Sequence, residues 1–252
     1  KSAALFFGAP ADNIAAYCQY SNDAQIMYVG TSESGGVLHL RADADSTKMI
    51  LDANSRISLS NNDSGTSNTV FGKSAGASLD AGSNYNVFIG EGVSDATMND
   101  AVNNVGVGYN ALTSLTEGDG NTAVGKDALS FITTGENNVA IGISSFDAAT
   151  TQDECVAIGY NALGALNHDD ADGSIAIGFS AGAAITSGIG NVAIGYQALD
   201  AEDDGDYSTA VGYQALTAQT GTSGTVSNTA VGYQAGVAIT KGRYNTIIGK
   251  GA

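Results

Sequence analysis

Read for hydrophobic and polar positions, the chain falls into two unequal stretches. From Asn68 onward one short alternation keeps returning: Asn or Ser, then Thr or Val, then Ala, then Val or Ile, then Gly. Its clearest copies are Asn121-Thr122-Ala123-Val124-Gly125, Asn191-Val192-Ala193-Ile194-Gly195, Ser208-Thr209-Ala210-Val211-Gly212 and Asn228-Thr229-Ala230-Val231-Gly232. Within a copy, residues such as Val139 and Ile141 share one face and Ala140 takes the other. A period of two built from β-branched residues predicts a strand. The closing glycines are Gly72, Gly90, Gly108, Gly125, Gly142, Gly159, Gly178, Gly195, Gly212, Gly232 and Gly249, separated by 17 to 20 residues. Eleven copies at so steady a spacing are internal repeats, and a unit this short has no room for a helical hairpin and its turns.

The expectation is an all-β solenoid in which each coil pairs with the next through parallel backbone hydrogen bonds. At about 4.8 Å per coil, eleven coils make a column roughly 50 Å tall. A second strand is expected after each Gly, in stretches such as Ala198-Leu199 and residues 235–239. Variable polar links such as 200–206 close the coil and absorb the length variation. Val or Ile before each Gly is assigned to the core, and the Gly to a turn closed to other residues. Each coil offers only three or four apolar side chains, a thin core for a single column. The strip of small residues Ala140, Ala157, Ala176, Ala193, Ala210 and Ala230 is therefore the candidate contact between identical chains.

Residues 1–67 lack the repeat. Leu38, Leu40, Ala42 and Ala44 alternate with His39, Arg41, Asp43 and Asp45, Ile57 and Leu59 continue the pattern, and Gly30, Gly35-Gly36 and Asn61-Asn62 punctuate it. Residues 3–8, 14–20 and 25–30 also read as strands. The organisation expected is a β-rich neck over 1–67 and the eleven-repeat column over 68–252.

Composition narrows the function. There are 34 Gly, one Pro, no Trp and 14% charged residues, yet 43% of positions are apolar and recur at fixed spacing, which excludes plain disorder. Nine basic residues against 26 acidic ones leave a formal charge of −17. Such a chain lacks the basic stripe that binds a nucleic-acid backbone, and an anionic membrane is no partner for it. No apolar run reaches 18 residues, so no membrane insertion is expected. With a start at Lys1 and neither Met nor a signal-peptide pattern, the chain is expected to be part of a longer product.

The repeat resembles the head repeats of trimeric autotransporter adhesins, and more closely the NTAVGYQAL arrays of bacteriophage tail-fibre proteins. Ser208-Thr209-Ala210-Val211-Gly212-Tyr213-Gln214-Ala215-Leu216 and residues 228–236 carry that string almost unaltered. The resemblance covers 68–252, with departures at Ile143-Ser144-Ser145, Phe88 and Gly106. It implies three chains, each a left-handed parallel β-roll, wound as an intertwined homotrimer. It also implies a place in a virion tail or on a bacterial surface. The partners implied are other tail or baseplate proteins and a host cell-surface glycan or protein. In such fibres a chaperone domain that cleaves itself off often follows the repeats. Residues 47–62 resemble, less specifically, the β-structured shafts of phage fibres.

Candidate chemistry is sparse. Asp169-Asp170-Ala171-Asp172 and Glu202-Asp203-Asp204-Gly205-Asp206 are acids that would serve a glycosidase or calcium, but they lie in links, lack the twelve-residue calcium loop, and read as solvated. His39 and His168 have no partners spaced for a triad or zinc, and Cys18 and Cys155 stand too far apart for a metal pair. Glycines never form a phosphate-binding pattern. No catalytic residue, metal site or cofactor site is assigned. Tyr109, Tyr160, Tyr196, Tyr213 and Tyr233, each following a repeat Gly, form a candidate ladder that packs on a neighbouring chain or stacks on glycan rings; Lys73, Glu91 and Lys126 interrupt it. Thr69, Thr122, Thr209, Thr229 and Thr246 share one position, assigned to the buried face, which counts against a flat ice-binding array. The expected role is a structural, non-enzymatic fibre segment, with a polysaccharide-degrading tailspike or an adhesin head as the alternatives.

Overall fold

The computed structural model describes residues 67–221 and 224–252 in full and, before them, the backbone of six strands. Contacts divide the chain into two compact units, Lys1–Ile57 and Ser58–Ala252, ten residues before the end assigned to the neck. In the first unit β1 (Ala3–Phe7), β2 (Ala16–Ser21) and β3 (Ile26–Thr31) form an antiparallel sheet, with Leu5 opposite Cys18 and Cys18 opposite Val29. There β4 (Leu38–Arg41) pairs antiparallel with β5 (Thr47–Leu51). Of the expected alternation over 38–45, Leu38–Arg41 form β4, and residues 42–45 lie outside the described residues. The face taken by the His39 side chain lies outside the described residues.

The second unit is a parallel β-solenoid. Its strands are β7 (Thr69–Phe71), β8 (Val87–Ile89), β9 (Val105–Val107), β10 (Thr122–Val124), β11 (Val139–Ile141), β12 (Val156–Ile158), β13 (Ile175–Ile177) and β14 (Val192–Ile194), then β16 (Thr209–Val211), β18 (Thr229–Val231) and β19 (Thr246–Ile248). They follow one another in a single sheet, and the two-residue β6 (Ile57–Ser58) precedes them in the chain. Pairing is in register, Ala123 opposite Ala140 and Ala140 opposite Ala157, so equivalent residues form columns along the axis. The short β15 (Gly205–Asp206) and β17 (Gly224–Thr225) pair in parallel beside it. No helix occurs among the described residues.

The two faces of each strand are the reverse of what bulk had indicated. Ala123, Ala140, Ala157, Ala176, Ala193, Ala210 and Ala230 are fully buried within their own chain, while Ile141, Ile177, Val231 and Ile248 are exposed. The Ala strip is therefore core, not a contact between chains. From Ala123 to Ala230 the coil at the strand is narrow and a methyl fills it, while the same column holds Val70 and Phe88 at one end and Ile247 at the other. The Thr column is corrected with it: Thr122, Thr209 and Thr229 are half-buried on the outward face and Thr246 is exposed.

Core volume comes instead from beyond the Gly. No second strand forms there; the chain runs through turns in which residues two and four past the Gly take left-handed angles. Leu112, Leu129, Phe146, Leu163, Leu199 and Leu216 adopt φ between 49 and 56° while fully buried. Such angles cost about 1–2 kcal/mol for a bulky residue, and burying a Leu side chain returns about 1.5–3, so packing prevails. Departures from the repeat compensate in volume. Phe88 lies opposite Gly106 in the next strand, and Phe146 shares its coil with Ala149, where neighbouring coils have Ile132 or Leu166.

Each repeat Gly has φ between 132 and 141°. A Cβ at Gly142 would also run into the carbonyl oxygen of Gly159, and the same holds from Gly72 through Gly232. Two independent reasons hold Gly there.

Candidate functional site

The surface the fold offers is a set of parallel columns. Outward-facing Val, Thr and Ile of the strands form an apolar sheet face, exposed at Phe71, Ile89, Ile141, Ile177, Val231 and Ile248. Next to it, past the Gly, runs the column Lys73, Glu91, Tyr109, Lys126, Ile143, Tyr160, Phe179, Tyr196, Tyr213, Tyr233 and Lys250. Lys73 bridges to Glu91 at 3.0 Å. From Tyr160 to Tyr233 five rings stack with centroids 5.1–5.3 Å apart and planes within 8–13°, one ring per coil. Phe179 is the fifth member; following Tyr alone had missed it. Tyr109 stands apart, between Glu91 and Lys126.

Stacking limits what the ladder can hold. Each inner ring has both faces covered by its neighbours, so a sugar finds ring edges and hydroxyls rather than ring faces. Tyr233 carries the Lys250 ammonium 5.8 Å from its centroid. Beside the rings, Gln214 Nε2 donates to Gln197 Oε1 at 3.2 Å and Gln234 Nε2 to Gln214 Oε1 at 3.0 Å. The surface is a fixed comb of aromatic edges and amides at the coil repeat.

The link acids are knitted into the coils. Asp172 accepts the backbone N–H of Asp153 at 2.8 Å, and Asp206 that of Ile189 at 3.0 Å. Asp169 accepts the Thr151 hydroxyl at 3.0 Å, and Asp203 accepts the hydroxyl of Thr186. Glu202 departs furthest from a solvated link: it is fully buried. Among the described residues no group of three or more His, Cys, Asp or Glu is placed to hold a metal ion. His168 is exposed, with Nδ1 accepting the Asp170 N–H at a long 3.4 Å.

Inside, a second ladder replaces solvent. Asn68, Asn86, Asn104, Asn121, Asn138, Asn191 and Asn228 stack in one buried column, with Cys155, Ser174 and Ser208 between them and the half-buried Asn245 at its end. Burial pushes the Cys155 thiol up to about 11 from 9.0, so it stays protonated and a poor nucleophile. Burial also raises the Asp147 carboxyl, against a hydrogen bond from Ser144.

No protein-family model, curated protein or solved structure matches this chain.

Proposed function

We propose that the chain is a structural, non-enzymatic segment of a viral tail fibre, working as a homotrimer of left-handed β-rolls that spaces or displays a receptor-binding part. One observation carries this reading. A parallel sheet normally has both faces covered, yet here a largely apolar face runs in register along eleven coils with its side chains half-buried to exposed, the exposed ones being Phe71, Ile89, Ile141, Ile177, Val231 and Ile248. A second and third copy of the same chain present the same periodicity and cover it. The charge of −17 on each chain keeps the assembled columns apart in solution.

Its partners are other tail or baseplate proteins at its ends and a host cell-surface glycan or protein. The edges of the ladder formed by Tyr160, Tyr196, Tyr213 and Tyr233 supply hydroxyls at the coil repeat, a pattern suited to a periodic glycan. The place of action is the virion tail. Gold-labelled antibody against the chain should decorate tail fibres in electron micrographs. Label on a bacterial surface instead would make it an adhesin head. Release of reducing ends from host polysaccharide, lost on changing Asp203 and Asp204 to Asn, would overturn the non-enzymatic reading in favour of a tailspike.

A further inference from the structure

From Gly108 onward the core column seven residues past each Gly reads Leu115, Ile132, Ala149, Leu166 and Ile185, then breaks into polarity at Glu202 and Gln219 before returning to Ile239. Both polar side chains are fully buried. Glu202 Oε1 accepts three backbone N–H groups: Gly221 at 2.7 Å, Gly205 at 2.9 Å and Asp203 at 3.2 Å. Its other oxygen accepts the Gln219 side-chain amide. Gln219 in turn donates to Ser208 Oγ at 3.0 Å and accepts from Asn228 Nδ2 at 2.7 Å. Every acceptor of the carboxylate is used, and its donors come from its own coil and the next.

This matters because the coils are otherwise interchangeable. If the coil starting at Asn191 paired with the one starting at Asn228, looping out the coil between, Ala193 would meet Ala230, Gly195 would meet Gly232 and Tyr196 would meet Tyr233. The coils left in the column would keep their Ala, Gly and Tyr contacts, at the loss of the burial of Ala210, Ala215 and Leu216 in the looped coil. Glu202 would add a separate penalty: it would face Ile239, with Gly221 and Gln219 carried away in the loop. A buried carboxylate without its donors is a severe penalty. Repeat arrays with near-identical units need some such device against slipped pairing.

We propose that the Glu202–Gln219 pair is a register key: it lets these coils stack only in chain order. Restoring the apolar column with Glu202→Leu and Gln219→Ile together leaves the Ala and Gly columns intact, and Asn228, which loses Gln219, keeps its bond to the Gly242 carbonyl at 2.6 Å. The full-length variant should still fold, its apolar gain offsetting the N–H groups of Gly205 and Gly221 left without Glu202, yet split into two populations in hydrogen-exchange mass spectrometry. Peptides across 208–227 should show a protected and a rapidly exchanging envelope, and protease should cut there in only part of the sample. Wild type should give one protected envelope. A variant with the single envelope and protection of wild type would overturn the proposal. If the double variant fails to fold, the near-isosteric Glu202→Gln decides. A second exchanging population supports the key, and a single one with wild-type protection refutes it.

Discussion

Asn121 and Asn138, 17 residues apart, share one oxygen: Asn121 Oδ1 accepts both the backbone N–H and the side-chain amide of Asn138, each at 3.0 Å. Asn121 Nδ2 meanwhile donates to the Gly135 carbonyl at 2.8 Å. Each Asn thus closes its own coil with its amide and holds the next with its oxygen. Asn121→Ala should destabilise the column by about 1–3 kcal/mol per buried group left unpaired, read from denaturant unfolding. Asn121→Ser should cost less, because Ser174 fills the same position, donating to Gly188 O and accepting the Asn191 N–H at 3.2 Å. Equal losses for Ala and Ser would deny the column its role.

Two glycines separate conformation from crowding. Gly173 has φ of 68° and nothing within 4 Å of a would-be Cβ, whereas Gly142 has φ of 138° and a neighbouring backbone in the way. Gly173→Ala should cost about 1–2 kcal/mol. Gly142→Ala should cost at least about 3, since strain of about 1–3 kcal/mol adds to a clash that only separating the coils relieves. Thermal melts of the two variants test the order.

Inside and outside can be told apart by substitution. Ala193→Phe should lose folded structure itself, with an overpacking cost of about 1–3 kcal/mol or more. Ile177→Ser should keep the circular dichroism of the fold while weakening association. If Ala193→Phe folds normally and merely fails to associate, the assignment of faces is wrong.

The Cys155 thiol gives a pH dependence of known sign. In the folded chain it loses its proton near 11, in the unfolded chain near 9.0. Its contribution is therefore complete below pH 9 and is lost as pH rises toward 11, by up to about 2.7 kcal/mol. Cys155→Ser should flatten that part of the stability–pH curve. A thiol reagent at pH 8, read by peptide mapping to separate Cys155 from Cys18, should label Cys155 only once the chain is unfolded.

The periodicity alone places all eleven strands and their turn glycines, because in-register stacking repeats the same demands on each coil. It misassigned the faces. Val and Ile outrank Ala as core formers, and nothing local to Val139-Ala140-Ile141 reveals how narrow the coil is. Bulk migrates instead to Leu129 and Leu163, whose left-handed angles no propensity favours. Glu202 looked like one more acid in an acidic link; its place in the Leu166–Ile185 column is visible only once coils are aligned. Phe179 joined the aromatic ladder by position rather than by residue type.

The most direct measurement is the mass of the assembled particle. Sedimentation equilibrium of the purified chain should give three times 25.2 kDa at micromolar concentration, with Ile177→Ser shifting the mass toward one chain. A wild-type chain that sediments as a folded monomer, with its Val and Ile face left open to water, would contradict the account.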